Sequence, residues 1–387
     1  MGLSFDPGEM MRWRHYLHAH PECAFEEFET SAFVARQLAG WDLSVDHGLA
    51  GTGVIGTLTN GAGSRSIGLR ADMDALPINE ESVRPWRSAV PGKFHGCGHD
   101  GHTAMLLGAA RHLAATRQFD GTVHFIFQPA EEGKGGGRRM IEEGLFARFP
   151  CDEIYAVHNW PALPLGRAAA GPGPMMAAAD RFDITFRGPG GHAAMPHLSA
   201  DTVLAASQAV VALQTIVARS VDPSRTAVVS ATSIHGGTTH NIIPQSVSIV
   251  GTVRTFDADT QNQIEKRLRA LVGAVAAGNG LDVDIVYDRY YPATVNDPAC
   301  AILAAEAAQA AGLLVDRLPV PSMAAEDFSF MLQACKGAYI WLGQGETGND
   351  SASAPLHSGG YDFNDRLLPI GADFFVKLIE RRLPAAG

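Results

Sequence analysis

Residues 94–102 of the chain read Phe94-His95-Gly96-Cys97-Gly98-His99-Asp100-Gly101-His102. This stretch holds one thiol, three imidazoles and one carboxylate, and soft and borderline ligands at this density are typical of a transition-metal site. Its three glycines let the backbone turn tightly enough to aim several side chains at one point. In the alternative interpretation His95 and His102 are surface loop residues and Cys97 packs in the core, but this explains a single such residue better than it explains the whole cluster. The small, apolar residues 103–110 predict a buried helix, so we expect the ligands on a loop that leads into it.

Three apolar segments that we predict as strands are each followed by side chains able to bind a metal ion. The segments are residues 66–71, 121–128 and 153–157, and the side chains that follow them belong to Asp72 and Asp74, to Glu131 and Glu132, and to His158. Ligands of open α/β sheets bind at the carboxyl ends of the strands, so these side chains are expected to meet at one edge. An aspartate there could bind a metal or orient a ligand histidine, unless it belongs to a solvated turn. One glutamate could bind the metal while the other acts as general base.

Further candidate site residues lie on loops and near the ends of predicted strands. His357 and His192 each lie on a glycine-flanked loop, and Asn241 lies near a strand end. Arg254 could clamp a carboxylate in bidentate fashion, or it could be solvated. For the histidines of residues 15–20, beside the helix-breaking Pro21, we favour capping and packing over metal binding.

The middle of the chain predicts a separate domain with the order β-α-β-β-α-β, the ferredoxin-like split arrangement. The predicted strands are residues 182–187, 226–235, 246–255 and 283–290, and the predicted helices are residues 200–219 and 260–276. Residues 166–179, rich in alanine, glycine, proline and methionine, predict a linker that crosses into this domain. The strand segment 227–232 and the alanine-rich face of the first helix are candidates for pairing with a second copy, because a C2 dimer is the commonest outcome for such an edge.

Composition and charge limit the classes of protein to which this chain can belong. Its 387 residues are 46% hydrophobic and 18% charged, which is typical of a globular protein of two or three domains. A net charge of −11 argues against nucleic acid or an anionic membrane as partner. Five widely spaced cysteines indicate a reducing compartment, the N-terminus shows no signal peptide, and no apolar run reaches the length of a membrane span. We therefore expect a cytoplasmic enzyme with a small-molecule substrate.

Seven motifs, spread in order over the whole chain, resemble those of the co-catalytic metallohydrolase family that contains aminoacylases, dipeptidases and carboxypeptidase G-type enzymes. Within this family the chain is most similar to hippurate hydrolases and auxin-conjugate amidohydrolases. The motifs lie at residues 18–22, 70–77, 95–100, 128–133, 191–197, 241–244 and 356–357. The resemblance implies an α/β fold in which a mixed-sheet, metallopeptidase-like catalytic domain (residues 1–180 and 294–387) carries an inserted α+β ferredoxin-like lid and dimerisation domain (residues 181–293).

The resemblance also implies two divalent metal ions per chain and a role for each candidate residue. The implied metal ligands are Cys97, His99, Glu132, His158 and His357. Glu131 would be the general base, and His192 would stabilise the tetrahedral intermediate, reaching the site of a partner subunit. Asn241 and Arg254 would hold the carboxylate of the substrate. Asp74 and Asp100 would contact the metal ligands without binding the metal themselves.

The chain departs from founding members of the family at Asp72-Met73-Asp74, where they carry an H-x-D motif. Cys97 then takes the place of the missing histidine ligand. A thiolate favours zinc whereas carboxylates favour manganese, so we expect Mn²⁺ or Zn²⁺, with Co²⁺ or Ni²⁺ as alternatives. Within the opening stretch only Cys97 and His99 are then ligands, and His95 and His102 are their neighbours.

The implied reaction is hydrolysis of the amide bond of an N-acyl amino acid such as hippurate, in which Glu131 takes a proton from water and returns it to the leaving amine. Alternatives with the same machinery are a dipeptidase or carboxypeptidase, and an N-acetyl-diaminopimelate deacetylase. A non-catalytic metal-containing binding protein is an alternative of another class, but it would not need Glu131 beside Glu132. The expected assembly is a homodimer or a dimer of dimers formed through the inserted domain.

Overall fold

The computed structural model describes Ser4, residues 6–345 and residues 354–385. The chain divides into two compact units, each with its own hydrophobic core. The first unit comprises Met1–Met175, Val295–Val320 and Asp327–Gly387, and the second comprises Met176–Thr294 and Pro321–Glu326. Of the N-terminal segment that lacks a signal-peptide pattern, Met1–Leu3 and Phe5 lie outside the described residues.

The helices and strands of the described residues are as follows, in chain order. The helices are α1 (Gly8–Ala19), α2 (Phe28–Ala39), α3 (His99–Thr116), α4 (Glu131–Lys134), α5 (Gly136–Glu142), α6 (Leu145–Arg148), α7 (Thr202–Arg219), α8 (Ala258–Gly278), α9 (Pro298–Ala310), α10 (Phe328–Ala334) and α11 (Leu367–Arg382), with a 3-10 turn at Pro196–Leu198. The strands are β1 (Ser44–Leu49), β2 (Gly53–Asn60), β3 (Ser66–Asp72), β4 (Gly121–Gln128), β5 (Glu153–Pro164), β6 (Arg167–Ala169), β7 (Gly173–Met176), β8 (Ala178–Arg187), β9 (Gly191–His192), β10 (Ala227–Gly236), β11 (Ile242–Ile243), β12 (Ser246–Thr255), β13 (Asp282–Tyr291), β14 (Thr294–Asn296), β15 (Leu314–Asp316) and β16 (Gly337–Gly345).

The first unit is built on an eight-stranded mixed sheet in the order β1-β2-β4-β3-β5-β16-β6-β15. The four central strands β4, β3, β5 and β16 run parallel, whereas the pairs β1–β2, β2–β4 and β16–β6 are antiparallel. Central parallel strands are buried on both faces, which explains the nearly continuous apolar runs of β3, β4 and β5. Their carboxyl ends share one edge, where Asp72 pairs with Gln128 in register. The predicted mixed-sheet α/β class is confirmed.

Helix α3, which begins at His99, is buried along most of its length. It packs against α1, α11 and strand β3. The approach of α11 is close: a Cβ on Gly371 would lie 2.0 Å from the sulfur of Met105 in α3. Because α3 is held on several sides, the residues of its first turn have a fixed position above the sheet edge.

The structure differs from the sequence-based expectation in three places. Residues 166–179, within which the chain crosses from the first unit into the second as expected, contain β6, β7 and the first residues of β8 and are therefore largely strand. Small residues allow this, since Ala168 and Ala169 pair with β16. In addition, β5 does not end before His158 but continues to Pro164, because β16 pairs with it in parallel beyond that residue. Strand β1, which shows no regular alternation of burial, was not predicted.

The second unit has the order β8-α7-β10-β12-α8-β13, with a four-stranded antiparallel sheet in the order β10-β12-β8-β13. This is the predicted ferredoxin-like arrangement of elements. Side chains of β12 alternate between exposed and buried, so the buried face of the sheet packs against α7 and α8. Both helices begin at an aspartate that accepts backbone N–H groups, Asp201 before α7 and Asp257 before α8. Strand β10 forms one edge of the sheet.

Among the described residues, α7 is the one helix that is long and apolar enough to cross a membrane by length and composition. The sequence analysis found no such run. The length and apolar composition of α7 are only weak evidence of a membrane span, because core helices of soluble proteins share them. In this unit α7 buries Ala205, Ala209 and Leu213 in the core of the sheet and its helices.

Candidate metal centre

The loop before α3 turns sharply at Gly98 and places two of the expected ligands side by side. Gly98 has a φ of +93°, and a Cβ at this position would lie 2.5 Å from the side-chain oxygen of Asn159, so only glycine fits. Across this turn, Cys97 Sγ lies 3.4 Å from His158 Nε2 of β5. One ligand atom each from Cys97, His99 and His158 lie within 4.8 Å of one another, as the donors around a metal ion do.

The end of β4 supplies two carboxylates on one short turn. Ala130 adopts a left-handed conformation with a φ of +55°, and Glu131 and Glu132 follow it in α4. The carboxylate of Asp74 accepts both backbone N–H groups, Oδ1 that of Glu131 and Oδ2 that of Glu132, each at 3.0 Å. Asp74 therefore holds this turn in place and sets the direction in which the two glutamates leave the backbone.

His357 joins the cluster from the loop before α11. Its backbone has a left-handed φ of +65°, and its N–H donates to the carbonyl oxygen of Gly96 at 2.8 Å. The Nε2 of His357 lies 3.2 Å from Oε1 of Glu132. Ligand atoms of Cys97, Glu132 and His357 form a second group within 4.8 Å of one another. The two groups share Cys97 and together contain all five expected ligands, an arrangement that suits two neighbouring ions.

Several buried polar atoms of this cluster have no hydrogen-bond partner within the part of the chain that the structure describes. They are Nδ1 and Nε2 of His99 and Oε1 of Glu132. Burying such groups without a hydrogen bond is costly, and coordination to a cation would remove that cost. Thiolate, imidazole and carboxylate are also the donors that zinc and similar divalent ions take. The residues present therefore fit a divalent metal site.

His99 lies among carboxylates. Its Nδ1 is 3.3 Å from Asp74 Oδ1, and its Nε2 is 3.8 Å from Asp72 Oδ2. Burial alone would lower the pKa of His99, but Asp72, Asp74 and Glu132 raise it to about 10. Burial, together with the charge of Glu132, raises the pKa of the Cys97 thiol. A divalent cation opposes both shifts, because it competes with protons for the imidazole and the thiolate.

The other two histidines of residues 94–102 are placed differently from the ligands. His102 falls in a group with Asp72 and His99, but both of its nitrogens are engaged. Its Nδ1 lies 2.6 Å from Asp72 Oδ1, and its Nε2 lies 2.6 Å from Asn159 Oδ1. His95 belongs to none of the potential ligand groups found among the described residues, and burial lowers its pKa to about 4, which keeps it neutral.

Asp100 faces away from the ligands. Its Oδ2 accepts hydrogen bonds from Arg14 Nε at 2.9 Å and from His18 Nδ1 at 2.8 Å. Although burial opposes the shift, Arg14 and His18 hold the pKa of Asp100 well below its usual range. Asp100 therefore links α3 to α1. A contact with a metal ligand was expected of both Asp74 and Asp100, and of these two only Asp74 makes it. His18 is buried in this network, which agrees with the packing role expected for it.

A buried network around Arg70 was not found by sequence analysis, although one of its members, Asp72, was a candidate. Arg70 donates to Asp72 Oδ2 at 2.7 Å and to Asp327 Oδ1 at 3.2 Å. The backbone N–H of Asp327 in turn donates to Glu131 Oε1 at 3.3 Å. The only signal in the sequence was an arginine within an apolar strand, because Asp327 lies 257 residues further along the chain.

His192 and Asn241 lie together in the second unit. Strand β9 pairs with β11, with His192 opposite Ile242, and the N–H of Ala193 donates to the Asn241 carbonyl oxygen at 3.0 Å. The N–H of Ala194 donates to His192 Nδ1 at 3.1 Å, so the proton of the neutral ring is on Nε2. The side chain of His192 is exposed.

Arg254 lies at the opposite end of β12 from Asn241. It pairs with Ala179 at the start of β8, and its guanidinium donates to the carbonyl oxygen of Val253 at 3.0 Å. About ten residues of extended chain, or about 30 Å, separate it from the loop that carries Asn241. Within one subunit these two residues therefore cannot meet one carboxylate, and their shared role in holding the substrate stays a prediction.

The fold and this cluster define a metal-dependent hydrolase in which an additional glutamate lies beside the ligands. The sequence profile of Peptidase family M20/M25/M40 matches residues 68–381, and the chain belongs to this family. It is 39% identical over 375 residues to the hippurate hydrolase of Campylobacter jejuni, with 96% of each chain covered. It is 40% identical over 344 residues to an N-acetyl-L-cysteine deacetylase of Bacillus subtilis, with 89% of this chain and 82% of the relative covered.

A solved structure extends this similarity to the metal content. The YxeP protein of Bacillus subtilis, a dinuclear metal binding peptidase from the M20 family, superimposes with a TM-score of 0.85 at 32% identity, covering 97% of this chain and 98% of that one. The predicted family and the expectation of a hydrolytic enzyme that acts on amides are confirmed. Two divalent metal ions per chain agree with both this relative and the two ligand groups.

Proposed function

We propose that this chain hydrolyses the amide bond of N-acyl amino acids and releases a carboxylic acid and an amino acid. The observation that carries the proposal is the pair of glutamates on the turn α4. Glu132 joins Cys97 and His357 in a ligand group, and a carboxylate oxygen of the buried Glu131 lies within 4.8 Å of ligand atoms of His99 and Glu132, close enough for proton transfer beside the ligands. Hippurate and N-acetyl-L-cysteine, the compounds named by two relatives, are both N-acyl amino acids.

The chemistry follows from the side chains that surround Glu131. Divalent cations held by the five ligands would act as Lewis acids that lower the pKa of water and polarise the amide carbonyl. Glu131 would accept a proton from the attacking water and later give it to the leaving amine. Its backbone N–H is held by Asp74, and its Oε1 accepts the N–H of Asp327, so the carboxylate has a defined orientation for both transfers.

His192 is the proposed donor to the oxygen on which negative charge develops. Its ring carries the proton on Nε2, the nitrogen that is not engaged by the Ala194 N–H. A donor aimed at such an oxygen is typically worth about 3 kcal/mol. Since Asn241 lies with His192 and far from Arg254, one carboxylate could meet Asn241 and Arg254 only if they come from different subunits. We therefore propose a homodimer, or a dimer of dimers, in which His192 and Asn241 act in the site of the partner subunit.

Metal identity and location follow from the same residues. The thiolate of Cys97 favours Zn²⁺ and the carboxylate of Glu132 favours Mn²⁺, with Co²⁺ and Ni²⁺ as alternatives. All five cysteines are free, and Cys97 must stay reduced to bind a metal. A reducing compartment such as the cytoplasm is therefore the proposed location.

A substrate panel tests the proposal. The chain would be stripped with a chelator, reloaded separately with Zn²⁺, Mn²⁺, Co²⁺ or Ni²⁺, and assayed with N-benzoylglycine, N-acetyl amino acids and dipeptides of matched side chains. We expect kcat/KM for the best N-acyl amino acid to exceed that for every dipeptide by at least about tenfold, a difference of about 1.4 kcal/mol in transition-state binding. Faster cleavage of dipeptides would identify a dipeptidase instead, and two bound metals without turnover of any compound would identify a binding protein.

A further inference from the structure

We infer that Arg70 is a positioning residue that fixes the position of the proposed base Glu131 relative to the ligand His99. The inference rests on the proposed role of Glu131. Arg70 lies in β3 and its side chain is fully buried. Each nitrogen of its guanidinium has an acceptor: Nε donates to Gln128 at 2.9 Å, Nη1 to Asp72 at 2.7 Å and Nη2 to Asp327 at 3.2 Å.

The first branch of this network leads to the ligands. The Asp72 oxygen that accepts from Arg70 lies 3.8 Å from His99 Nε2, and the other lies 2.6 Å from His102 Nδ1. The hydroxyl of Thr103 donates to the backbone carbonyl of Asp72 at 3.0 Å. At 3.8 Å Asp72 acts on His99 through its charge, while its hydrogen bonds with His102 and Thr103 hold the first turns of α3, in which His99 lies. Arg70 thus fixes the carboxylate against which the His99 ring lies.

The second branch leads to Glu131. The carboxylate of Asp327 accepts from Gln128 Nε2 at 2.7 Å and from the N–H of Gly137 at 2.8 Å, in addition to Arg70. A Cβ on Gly137 would lie only 3.0 Å from the Asp327 carbonyl oxygen, so the two backbones are in close contact. Asp327 therefore has a fixed position, and its N–H reaches Glu131 Oε1 at 3.3 Å.

An arginine is required here because one residue must reach three acceptors in different directions. The planar guanidinium offers separate donors to Gln128, Asp72 and Asp327, whereas lysine concentrates its donors on one nitrogen. The positive charge also compensates the negative charges of two buried carboxylates, those of Asp72 and Asp327. Lysine keeps this charge, so the substitution Arg70→Lys removes the geometry and leaves most of the compensation.

The test compares Arg70→Lys with a matched control. For Arg70→Lys we expect kcat on N-benzoylglycine to fall about 10–100-fold, as is typical when the support of a ligand is lost, with KM changed less than about threefold and two metals still bound. The control is Arg382→Lys, which changes the arginine that binds Glu153 at the amino end of β5. It should keep kcat within about twofold of the wild type, because Glu153 is five residues of strand, or about 16 Å, from His158.

The absorption spectrum of the Co²⁺-loaded protein gives a readout that does not depend on turnover. Its bands should shift in Arg70→Lys and stay unchanged in Arg382→Lys, because only the former alters the surroundings of His99. A second variant, Asp327→Asn, keeps the backbone N–H to Glu131 but loses the charge that Arg70 binds. If Arg70 acts through Asp327, the loss of kcat in the double variant should be well below the product of the two single losses.

Wild-type kcat together with an unchanged Co²⁺ spectrum in Arg70→Lys would overturn the inference. So would full recovery of kcat in excess metal, since Arg70 would then serve only to retain the ions. Failure of the proposed function would give a different result. The Glu131→Gln variant would then be active, while Arg70→Lys would still shift the Co²⁺ spectrum.

Discussion

Glu131 is the side chain on which the proposed proton transfers depend. Glu131→Gln keeps the size of the side chain and an oxygen for the Asp327 N–H, but it removes the basic group. We expect kcat to fall by about 10²–10⁴-fold, the usual contribution of a general base, while both metals stay bound and the melting temperature is unchanged. Steady-state kinetics with metal analysis and a thermal melt would measure this.

A matched control for this prediction is Glu142→Gln in α5, because the side chain of Glu142 is 67% exposed and lies outside the ligand groups found in the described residues. It should have wild-type kcat. Retention of more than about a tenth of the activity by Glu131→Gln would mean that another group takes the proton, given the size of the effect expected of a base.

Single residues differ in how far the sequence could reveal them. Cys97 and His99 lie in a dense run of potential ligands, and Glu131 and Glu132 follow an apolar strand, so local patterns were sufficient to make them candidates. Asp327 could not be found in this way, because its role depends on contact with Arg70 across 257 residues of chain. Burial and pairing of charges are products of tertiary structure and leave little trace in local sequence.

At the scale of elements, the start of α3 depends on the backbone of Gly98. In Gly98→Ala the left-handed conformation alone should lower the free energy of unfolding by about 1–2 kcal/mol. The new methyl group would also lie 2.5 Å from Asn159 Oδ1 and 2.6 Å from the Tyr361 hydroxyl, so the turn must move and His99 with it. We expect a lower melting temperature in the metal-free protein and weaker binding of Zn²⁺, measured by calorimetry.

The same substitution in another helix provides the control. Gly273 lies within α8, its φ is not left-handed, and a Cβ there would have no atom within 4 Å. Gly273→Ala should therefore stabilise the protein by about 0.5–1 kcal/mol through better helix propensity, and should leave Zn²⁺ binding unchanged. Equal effects of the two variants would contradict the assignment of Gly98 as the residue that shapes the loop.

Strand β4 contains a buried histidine that makes stability depend on pH. Burial lowers the pKa of His124 to about 4, and its Nδ1 contacts the Thr57 hydroxyl at 2.9 Å. The folded pKa is thus below the unfolded value of about 6.5, so the unfolded chain binds more protons between these values and stability falls as the pH drops from 6.5 towards 4. At pH 5 the protonation of His124 in the unfolded chain should lower the free energy of unfolding by about 2 kcal/mol relative to pH 7.5.

The variant His124→Gln isolates that contribution. Gln keeps a polar group near Thr57 and does not titrate. The melting temperature of the metal-free variant should therefore fall less between pH 7.5 and pH 5 than that of the metal-free wild type. The difference between the two proteins is informative because other titrating groups contribute equally to both. Identical losses would show that His124 titrates near its ordinary pKa in the folded chain.

The elements themselves were predicted well where periodicity was strong and poorly where residues are small. The alternating pattern of β12 and the helical spacing of α7 and α8 gave bounds within a few residues of those observed. The strands within residues 166–179, where the chain crosses between the two units, were not predicted, because alanine and glycine carry no pattern, although pairing with β16 makes part of this stretch strand. Such strands are determined by their neighbours in the sheet and not by their own composition.

At the scale of the whole molecule, local patterns predicted that the strand ends that carry ligands meet at one edge of the sheet, but they did not give the order of the strands. The parallel order of β4, β3, β5 and β16 brings those ends to one edge of the sheet, and His357 arrives from the distant loop before α11. The sequence pattern predicted the meeting of the strand ends, whereas only the resemblance to a known family implied that His357 joins them. The opposite placement of Asn241 and Arg254 within one subunit already follows from the predicted strand at residues 246–255, which lies between them and matches β12.

The proposed sharing of sites between subunits predicts that two inactive variants restore each other. Glu131→Gln should be inactive through its own site, and His192→Ala should be impaired through the site of its partner. In a mixed dimer, the chain with intact Glu131 faces the chain with intact His192, so one of the two sites is complete. With equal amounts and random exchange, about a quarter of all sites should become active in an isologous dimer.

Co-expression of the two variants with different affinity tags, followed by purification on both tags, gives the mixed dimer directly. Each variant mixed with its own differently tagged copy is the control and should stay inactive. Light scattering establishes whether the purified species is a dimer or a larger assembly. A mixed dimer without activity would mean that His192 does not act across the interface. Recovery of activity would show that His192 acts in the site of the partner subunit.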